Sequence, residues 1–187
     1  MVVGVADAVV LAGGRFGPAA GMLMYAGAVA ERRDAAVHRH HWSRQPPDPS
    51  EPRAEAWVRD EVGPLLDTVA GRPLLIGKSL GTIAASVAAE RSLPAVWLTP
   101  LLTVPGVAAA LSRATAPFLL VGGSGDDWWD GISARRLSPH VLEIENADHG
   151  LYVPGPLVNS IDVLARMVTA VESFLDEISW PGRAESG

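Results

Sequence analysis

The chain has 187 residues, of which 48% are apolar, and this is enough for one domain with a substantial core. Its 15 basic and 21 acidic residues give a formal net charge of −6, so the composition offers no electrostatic footprint for nucleic acid or an anionic membrane. The absence of cysteine excludes disulfides, thiolate metal sites and a cysteine nucleophile.

The absence of cysteine and the character of the N-terminal residues favour a cytoplasmic protein. The N-terminal residues lack the charged region of a signal peptide, and the apolar stretch 2–12 contains Asp7 and is too short to span a bilayer. We predict a single domain over residues 1–179, a flexible tail over residues 180–187, and no membrane partner.

Short apolar runs alternate with helical patterns along the chain. Buried strands are predicted at residues 8–12, 35–42, 73–77, 95–99, 117–122 and 140–145. Helices are predicted at residues 19–33, at 80–91, at 107–113, and between Ser50, as the N-cap, and Gly71. The last helix carries one apolar stripe: Leu157, Ile161, Leu164, Val168, Val171, Leu175 and Ile178.

This alternation predicts an α/β fold, a three-layer doubly wound sandwich with about six mostly parallel strands. The right-handed crossover rule places helices on both faces of such a sheet. Ligands bind beyond the carboxyl ends of the strands in this architecture. Candidate functional residues are therefore expected in the loops that follow strands.

The third strand ends in Gly77-Lys78-Ser79-Leu80-Gly81, which has the pattern G-x-S-x-G of a nucleophile elbow. A sharp strained turn holds the serine hydroxyl above the sheet, and side chains two residues before and after it would collide with neighbouring backbone. The following helix points its N-terminus at the site, where its dipole favours a developing oxyanion. The alternative is a tight turn with an inert serine.

The same segment also resembles the end of a phosphate-binding P-loop. That loop needs a further glycine five positions before Gly77, where the sequence has Arg72, and the residues between them belong to a strand. We therefore do not predict nucleotide binding.

A nucleophilic serine needs a histidine base and a carboxylate that orients the base. Asp126 and Asp127 follow the fifth strand, and His149 follows the sixth. Together with Ser79 they occur in the chain order nucleophile, acid, histidine. Both aspartates are candidates for the acid, whereas Asp148 is adjacent to His149 and would have difficulty reaching back to its ring.

An oxyanion hole needs two backbone N–H groups. Leu80, directly after the nucleophile, is expected to supply one, and the loop after the first strand the other, with Gly14 as the first choice and Arg15 as the second. Arg15 and Phe16 of this loop are also predicted to contact substrate. The alternative is a flexible turn whose glycines permit unusual dihedral angles.

A pair of tryptophans and a group of three histidines follow two of the predicted strands. Trp128 and Trp129 either form the wall of an acyl pocket or pack against the last helix. His38, His40 and His41 crowd the end of the second strand, but no carboxylate in the local sequence completes a metal site. We predict neither a metal nor a cofactor.

The chain resembles the α/β-hydrolase superfamily over nearly its whole length, and in particular a compact, lidless bacterial subgroup of uncharacterised serine hydrolases. The resemblance depends on the glycine loop after the first strand and on residues 75–82, 95–102, 123–126 and 146–150. It implies that Asp126, rather than Asp127, is the acid. The chain departs from the superfamily in having six strands instead of eight, and in having Ala12 where many members carry a histidine.

These observations predict a serine hydrolase that cleaves a small acyl ester or thioester through Ser79, His149 and Asp126. The connection between the fourth and fifth strands leaves no room for a large lid, so an open, shallow site is expected. Two alternatives remain: a non-catalytic member of the same fold that binds a partner, and an acyltransferase that uses the same three residues.

Overall fold

The computed structural model describes residues 6–15, 17–19 and 21–182. Its strands are β1 (Asp7–Leu11), β2 (Ala36–His40), β3 (Leu74–Lys78), β4 (Ala95–Leu98), β5 (Phe118–Gly123) and β6 (His140–Ile144). Its helices are α1 (Gly21–Glu31), α2 (Ala54–Thr68), α3 (Ala85–Arg91), α4 (Pro105–Ser112), α5 (Gly131–Leu137) and α6 (Leu157–Glu177). A 3₁₀ helix, Ser79–Ala84, leads directly into α3.

The strands form one parallel sheet in the order β2-β1-β3-β4-β5-β6. This confirms the predicted sheet of six parallel strands. Leu11 of β1 lies beside Gly77 of β3, and Gly77 lies beside Trp97 of β4. The loops after these strands therefore leave the sheet at one edge, where ligands bind in open α/β sheets.

Helices cover both faces of the sheet, as the crossover rule predicts. α2, the 3₁₀ helix, α3, α4 and α5 contribute to one buried apolar cluster, whereas α1 and α6 contribute to the other. Side chains of β3 alternate between these clusters: Leu75 belongs to the first, and Leu74 and Ile76 belong to the second. The four inner strands are therefore buried on both sides, which explains why they are nearly continuous apolar runs, whereas the outer strands β2 and β6 are mostly half-buried and carry polar residues.

One predicted helix terminus is wrong, and one helix was missed. Ser50 is not the N-cap of α2, because the helix begins at Ala54 and Ser50 instead donates two hydrogen bonds to Asp48. α5 was not predicted at all; it is only seven residues long, and the side chain of Asp130 caps it by accepting hydrogen bonds from two backbone N–H groups.

The predicted apolar stripe of α6 is also wrong at its start. Leu157 and Ile161 are 66% and 56% exposed, and the first buried residue of the helix is Val163. A helix of 21 residues is about 30 Å long, nearly twice the length of a five-residue strand. The N-terminal turns of α6 therefore extend past the edge of the sheet and have no core to face.

The packed chain continues beyond α6. Trp180, the first residue of the predicted tail, is 8% exposed and belongs to the core cluster of α1 and α6. The predicted division between domain and tail otherwise stays a prediction. No helix in the described part of the chain combines the length and the apolar character needed to cross a membrane.

Candidate active site

Ser79 lies at the sharp junction between β3 and the 3₁₀ helix. Its φ of 52° is in the left-handed region, which non-glycine residues seldom adopt. A Cβ on Gly77 would lie 2.6 Å from the Trp97 ring, and one on Gly81 would lie 2.7 Å from the carbonyl oxygen of Leu11. Both glycines are therefore required by close packing, although at Gly77 the nearest obstacle is a side chain rather than the expected backbone.

Three side chains from three different loops form one hydrogen-bonded chain. Ser79 Oγ is 2.8 Å from His149 Nε2, and His149 Nδ1 is 2.7 Å from Asp126 Oδ2. If Nδ1 carries the ring proton and donates it to Asp126, Nε2 is free to accept the proton of the serine hydroxyl. The arrangement can thus activate a hydroxyl nucleophile.

The ends of β5 and β6 lie close enough to bring Asp126 and His149 together. A Cβ on Gly123 would lie only 2.1 Å from the carbonyl oxygen of Ala147, so the two loops can meet only because this residue is glycine. The N–H of Gly125 also donates to the carbonyl of Ala147 over 3.0 Å. These contacts connect the two loops near both functional side chains.

The two candidate carboxylates and Asp148 occupy different environments. Asp126 is 6% exposed, and its second oxygen accepts the N–H of Trp128 over 3.0 Å, whereas Asp127 is exposed. Asp148 Oδ1 accepts the N–H groups of Gly150 and Tyr152 and so shapes the loop around His149. Only Asp126 is hydrogen-bonded to the imidazole.

The two expected oxyanion donors lie on segments that contact each other. Leu80 is buried directly after Ser79. In the loop after β1, a Cβ on Gly13 would lie 3.6 Å from the Cβ of Ser79, so this loop is packed against the elbow. Gly14 and Arg15 are exposed at the surface of the same loop. Phe16, predicted to contact substrate, lies outside the described residues.

The two tryptophans after β5 are placed differently from each other. Trp129 is 9% exposed, its ring covers Gly122, and its Nε1 donates to Glu143 over 2.7 Å. It therefore belongs to the core instead of forming the wall of a pocket, and its core cluster is on the face opposite α6. Trp128 is half-buried and packs against the same cluster, and its carbonyl accepts the N–H of Thr103.

Sequence reasoning missed the position of Lys78, the residue before the serine. Its Nζ donates to the backbone carbonyl of His149 over 3.3 Å. Burial lowers the pKa of Lys78, while the carboxylates of Asp126 and Asp148 act in the opposite direction. The G-x-S-x-G pattern leaves this position unrestricted, so no signal in the sequence could have indicated the contact.

The three histidines of the second strand and its following loop do not form a cluster of ligands. His38 Nε2 is 2.7 Å from Asp7, and His40 lies 3.4 Å from Glu61. Within residues 6–15, 17–19 and 21–182, no group of three or more His, Asp or Glu side chains is arranged to hold a metal ion.

Comparison with known proteins establishes the fold. No protein-family model matches the chain, and no curated protein matches it. Among solved structures, Est1E from Butyrivibrio proteoclasticus with bound ferulic acid is similar at 13% identity and a TM-score of 0.69, over 92% of this chain and 88% of that one. An α/β serine hydrolase homologue from Coxiella burnetii is 14% identical, with a TM-score of 0.66 over 89% and 86% of the two chains.

A third similar structure is a lidless α/β serine hydrolase from Xanthomonas campestris. It is 14% identical, with a TM-score of 0.58 over 92% of this chain and 84% of that one. The chain therefore has the α/β-hydrolase fold. At these identities the similarity concerns the fold, and the chemistry has to be argued from the site itself.

Proposed function

We propose that this chain with the α/β-hydrolase fold is a serine hydrolase that cleaves a small acyl ester or thioester. The observation that carries the proposal is the unbroken chain of hydrogen bonds from Ser79 through His149 to the buried Asp126. The backbone of Ser79 supports the same assignment, because it has a left-handed conformation and lies between two glycines that cannot be substituted without a clash.

The reaction begins when His149 takes the proton of Ser79 and the serine oxygen attacks the acyl carbonyl carbon. The N–H groups of Leu80 and Gly14 stabilise the negative charge on the carbonyl oxygen. His149 then gives its proton to the leaving alcohol or thiol as the carbon–oxygen or carbon–sulfur bond breaks. A water molecule, activated by the same imidazole, releases the acid and restores Ser79, while Asp126 holds the imidazole in the required tautomer.

The connection between β4 and β5 favours an open site. Between β4 and β5 the chain has only the eight-residue helix α4, so no inserted domain covers Ser79 from this connection. Esters and thioesters are favoured over amides because an amide has a poorer leaving group. The ferulic acid bound to Est1E supports including aromatic acyl esters among the first compounds tested.

A panel of substrates with a matched inactive variant tests the proposal. The wild type and Ser79→Ala are assayed against p-nitrophenyl esters of increasing acyl length, an acetyl thioester and methyl ferulate, with and without a competing alcohol. We expect turnover of at least one class and its loss in Ser79→Ala. Ester products formed from the added alcohol would indicate an acyltransferase. Equal rates in the two proteins would contradict the proposal, and no turnover at all would favour a partner-binding protein.

A further inference from the structure

A tryptophan donates a hydrogen bond to the loop that carries Gly14. Trp42, in the loop after β2, donates its Nε1–H to the carbonyl oxygen of Gly13 over 3.3 Å. That carbonyl and the N–H of Gly14 belong to the same peptide unit. In a trans peptide the C=O and N–H bonds point in opposite directions, so a partner for one sets the direction of the other.

We propose that Trp42 is a positioning residue that orients the Gly13–Gly14 peptide and thereby the N–H that Gly14 offers to the oxyanion. This inference rests on the proposed hydrolase function. Two consecutive glycines give this peptide unusual rotational freedom, and a Cβ on Gly14 would meet no atom within 4 Å. Among the described residues, no neighbour therefore restrains the Gly14 end of the peptide, whereas the indole of Trp42 holds its carbonyl group.

Trp42 is itself held by aromatic neighbours. Its ring meets the imidazole of His40 edge-on, with centroids 5.0 Å apart, and it lies 5.1 Å from the ring of Trp57 on α2. Such contacts restrict the indole to one orientation. The Nε1–H consequently has a defined direction toward Gly13.

A buried carboxylate fixes the chain immediately after Trp42. Glu61 of α2 is 9% exposed and accepts three hydrogen bonds from the loop: from the N–H of Ser43 over 3.0 Å, from the hydroxyl of Ser43 over 2.5 Å and from Nε of Arg44 over 3.2 Å. Burial would raise the pKa of Glu61, but the hydrogen bonds from Ser43 and Arg44 outweigh it and hold the pKa below its usual value. Glu61 thus anchors the loop as a carboxylate. We call the pair of residues Trp42 and Glu61 the brace.

The test removes the indole N–H while keeping one aromatic ring, as Trp42→Phe. Trp180→Phe loses the same atoms and is the matched control. Trp180 is a buried tryptophan that lines a cavity with residues preceding the strands, at the opposite edge of the sheet. Both variants are compared with the wild type for kcat and KM on a p-nitrophenyl ester that the wild type hydrolyses. The affinity for a short-chain alkyl trifluoromethyl ketone, whose adduct with serine carries an oxyanion, is measured in parallel.

We expect Trp42→Phe to lower kcat about 10- to 100-fold, less than the 10²–10³-fold cost of deleting an oxyanion donor outright. KM should change little, and ketone affinity should fall by a factor similar to that of kcat. Trp180→Phe should stay within about threefold of the wild type in all three quantities. If Trp42→Phe does not fold, benzothienylalanine at position 42 keeps the shape of the indole without its N–H, and the same losses are expected.

Two outcomes would contradict the proposed role of the brace while leaving the hydrolase assignment intact. One is a kcat for the position-42 variant equal to that of Trp180→Phe. The other is a lower kcat with unchanged ketone affinity, since that pattern indicates a general structural role. A wild type that turns over no ester and does not bind the ketone would instead overturn the proposed function, and the brace with it.

Discussion

The two halves of the proposed oxyanion hole are held in different ways. Leu80 follows a serine whose flanking glycines are packed so closely that neither could carry a Cβ without moving a neighbour. Gly14 is exposed, has free space around it, and depends on a contact that Trp42 makes with the preceding residue. One half is therefore fixed by close packing against the neighbouring strands β1 and β4, and the other by a hydrogen bond from a residue 29 positions away.

The largest expected effect comes from removing the nucleophile or the base. Ser79→Ala and His149→Ala should each lower kcat/KM by about four to six orders of magnitude, because the members of such a hydrogen-bonded set act as a unit. The double variant should be hardly slower than either single variant. Additive losses, measured as kcat/KM for one p-nitrophenyl ester, would show that the two residues act independently.

Adding a methyl group to each half of the hole tests the comparison directly. The new Cβ in Gly81→Ala would lie 2.7 Å and 3.0 Å from the carbonyl oxygens of Leu11 and Ala12, so β1 or the elbow must shift. We expect a stability loss of about 1–3 kcal/mol and a fall in kcat of about 100-fold or more. Gly14→Ala should change the unfolding free energy by less than about 0.5 kcal/mol. Equal destabilisation of Gly81→Ala and Gly14→Ala in urea titrations would contradict the proposed difference between the two halves of the hole.

Lys78 connects the elbow to the histidine loop, and its effect should depend on pH. Because burial lowers the pKa of Lys78, its ammonium loses its proton at a lower pH than an exposed lysine does, and its hydrogen bond to the carbonyl of His149 then weakens. As the pH is raised, we expect kcat to begin to fall at a pH below the usual pKa of lysine. Lys78→Met should be about tenfold slower without this decline, and in Lys78→Arg the decline should move to higher pH. An identical alkaline limb in all three proteins would exclude this role for Lys78.

The smallest expected effect concerns Glu61, and it is measured as a change in the free energy of unfolding. Glu61→Gln should lower the free energy of unfolding by about 1–2 kcal/mol at pH 7, because charge-assisted hydrogen bonds from Ser43 and Arg44 are weakened. The folded-state pKa of Glu61 is depressed, so its contribution is complete above the unfolded pKa and is lost as the pH falls through the folded value. The difference between the two proteins should therefore shrink below about pH 4. A difference that is constant from pH 7 to pH 3 would contradict this account.

Features with a local signature could be predicted from the sequence. The four inner strands are short apolar runs, and the two outer strands are short segments with several apolar residues, so all six were predicted. The chain order of Ser79, Asp126 and His149 followed from three strand ends. The structure brings these three side chains within hydrogen-bonding distance of one another. Asp126 and Asp127 could not be separated from the residues alone, because only burial and the distance to the imidazole distinguish them.

Features without a local signature could not be predicted. α5 has a single buried residue, Ala134, and so shows no apolar periodicity, and the exposed start of α6 depends on where the sheet ends. The contact of Trp42 with Gly13 joins residues 29 positions apart, and that of Lys78 with His149 joins residues 71 positions apart. No periodicity or motif records such contacts, since they arise from the way the strands are ordered in the sheet.

The central claim, that Ser79 is an activated nucleophile, is tested most directly by intact mass after exposure to a fluorophosphonate probe. The wild type should gain one adduct that peptide mapping assigns to Ser79, and neither Ser79→Ala nor His149→Ala should gain one under the same conditions. A folded wild type that stays unlabelled, or an adduct that persists in Ser79→Ala, would contradict the claim.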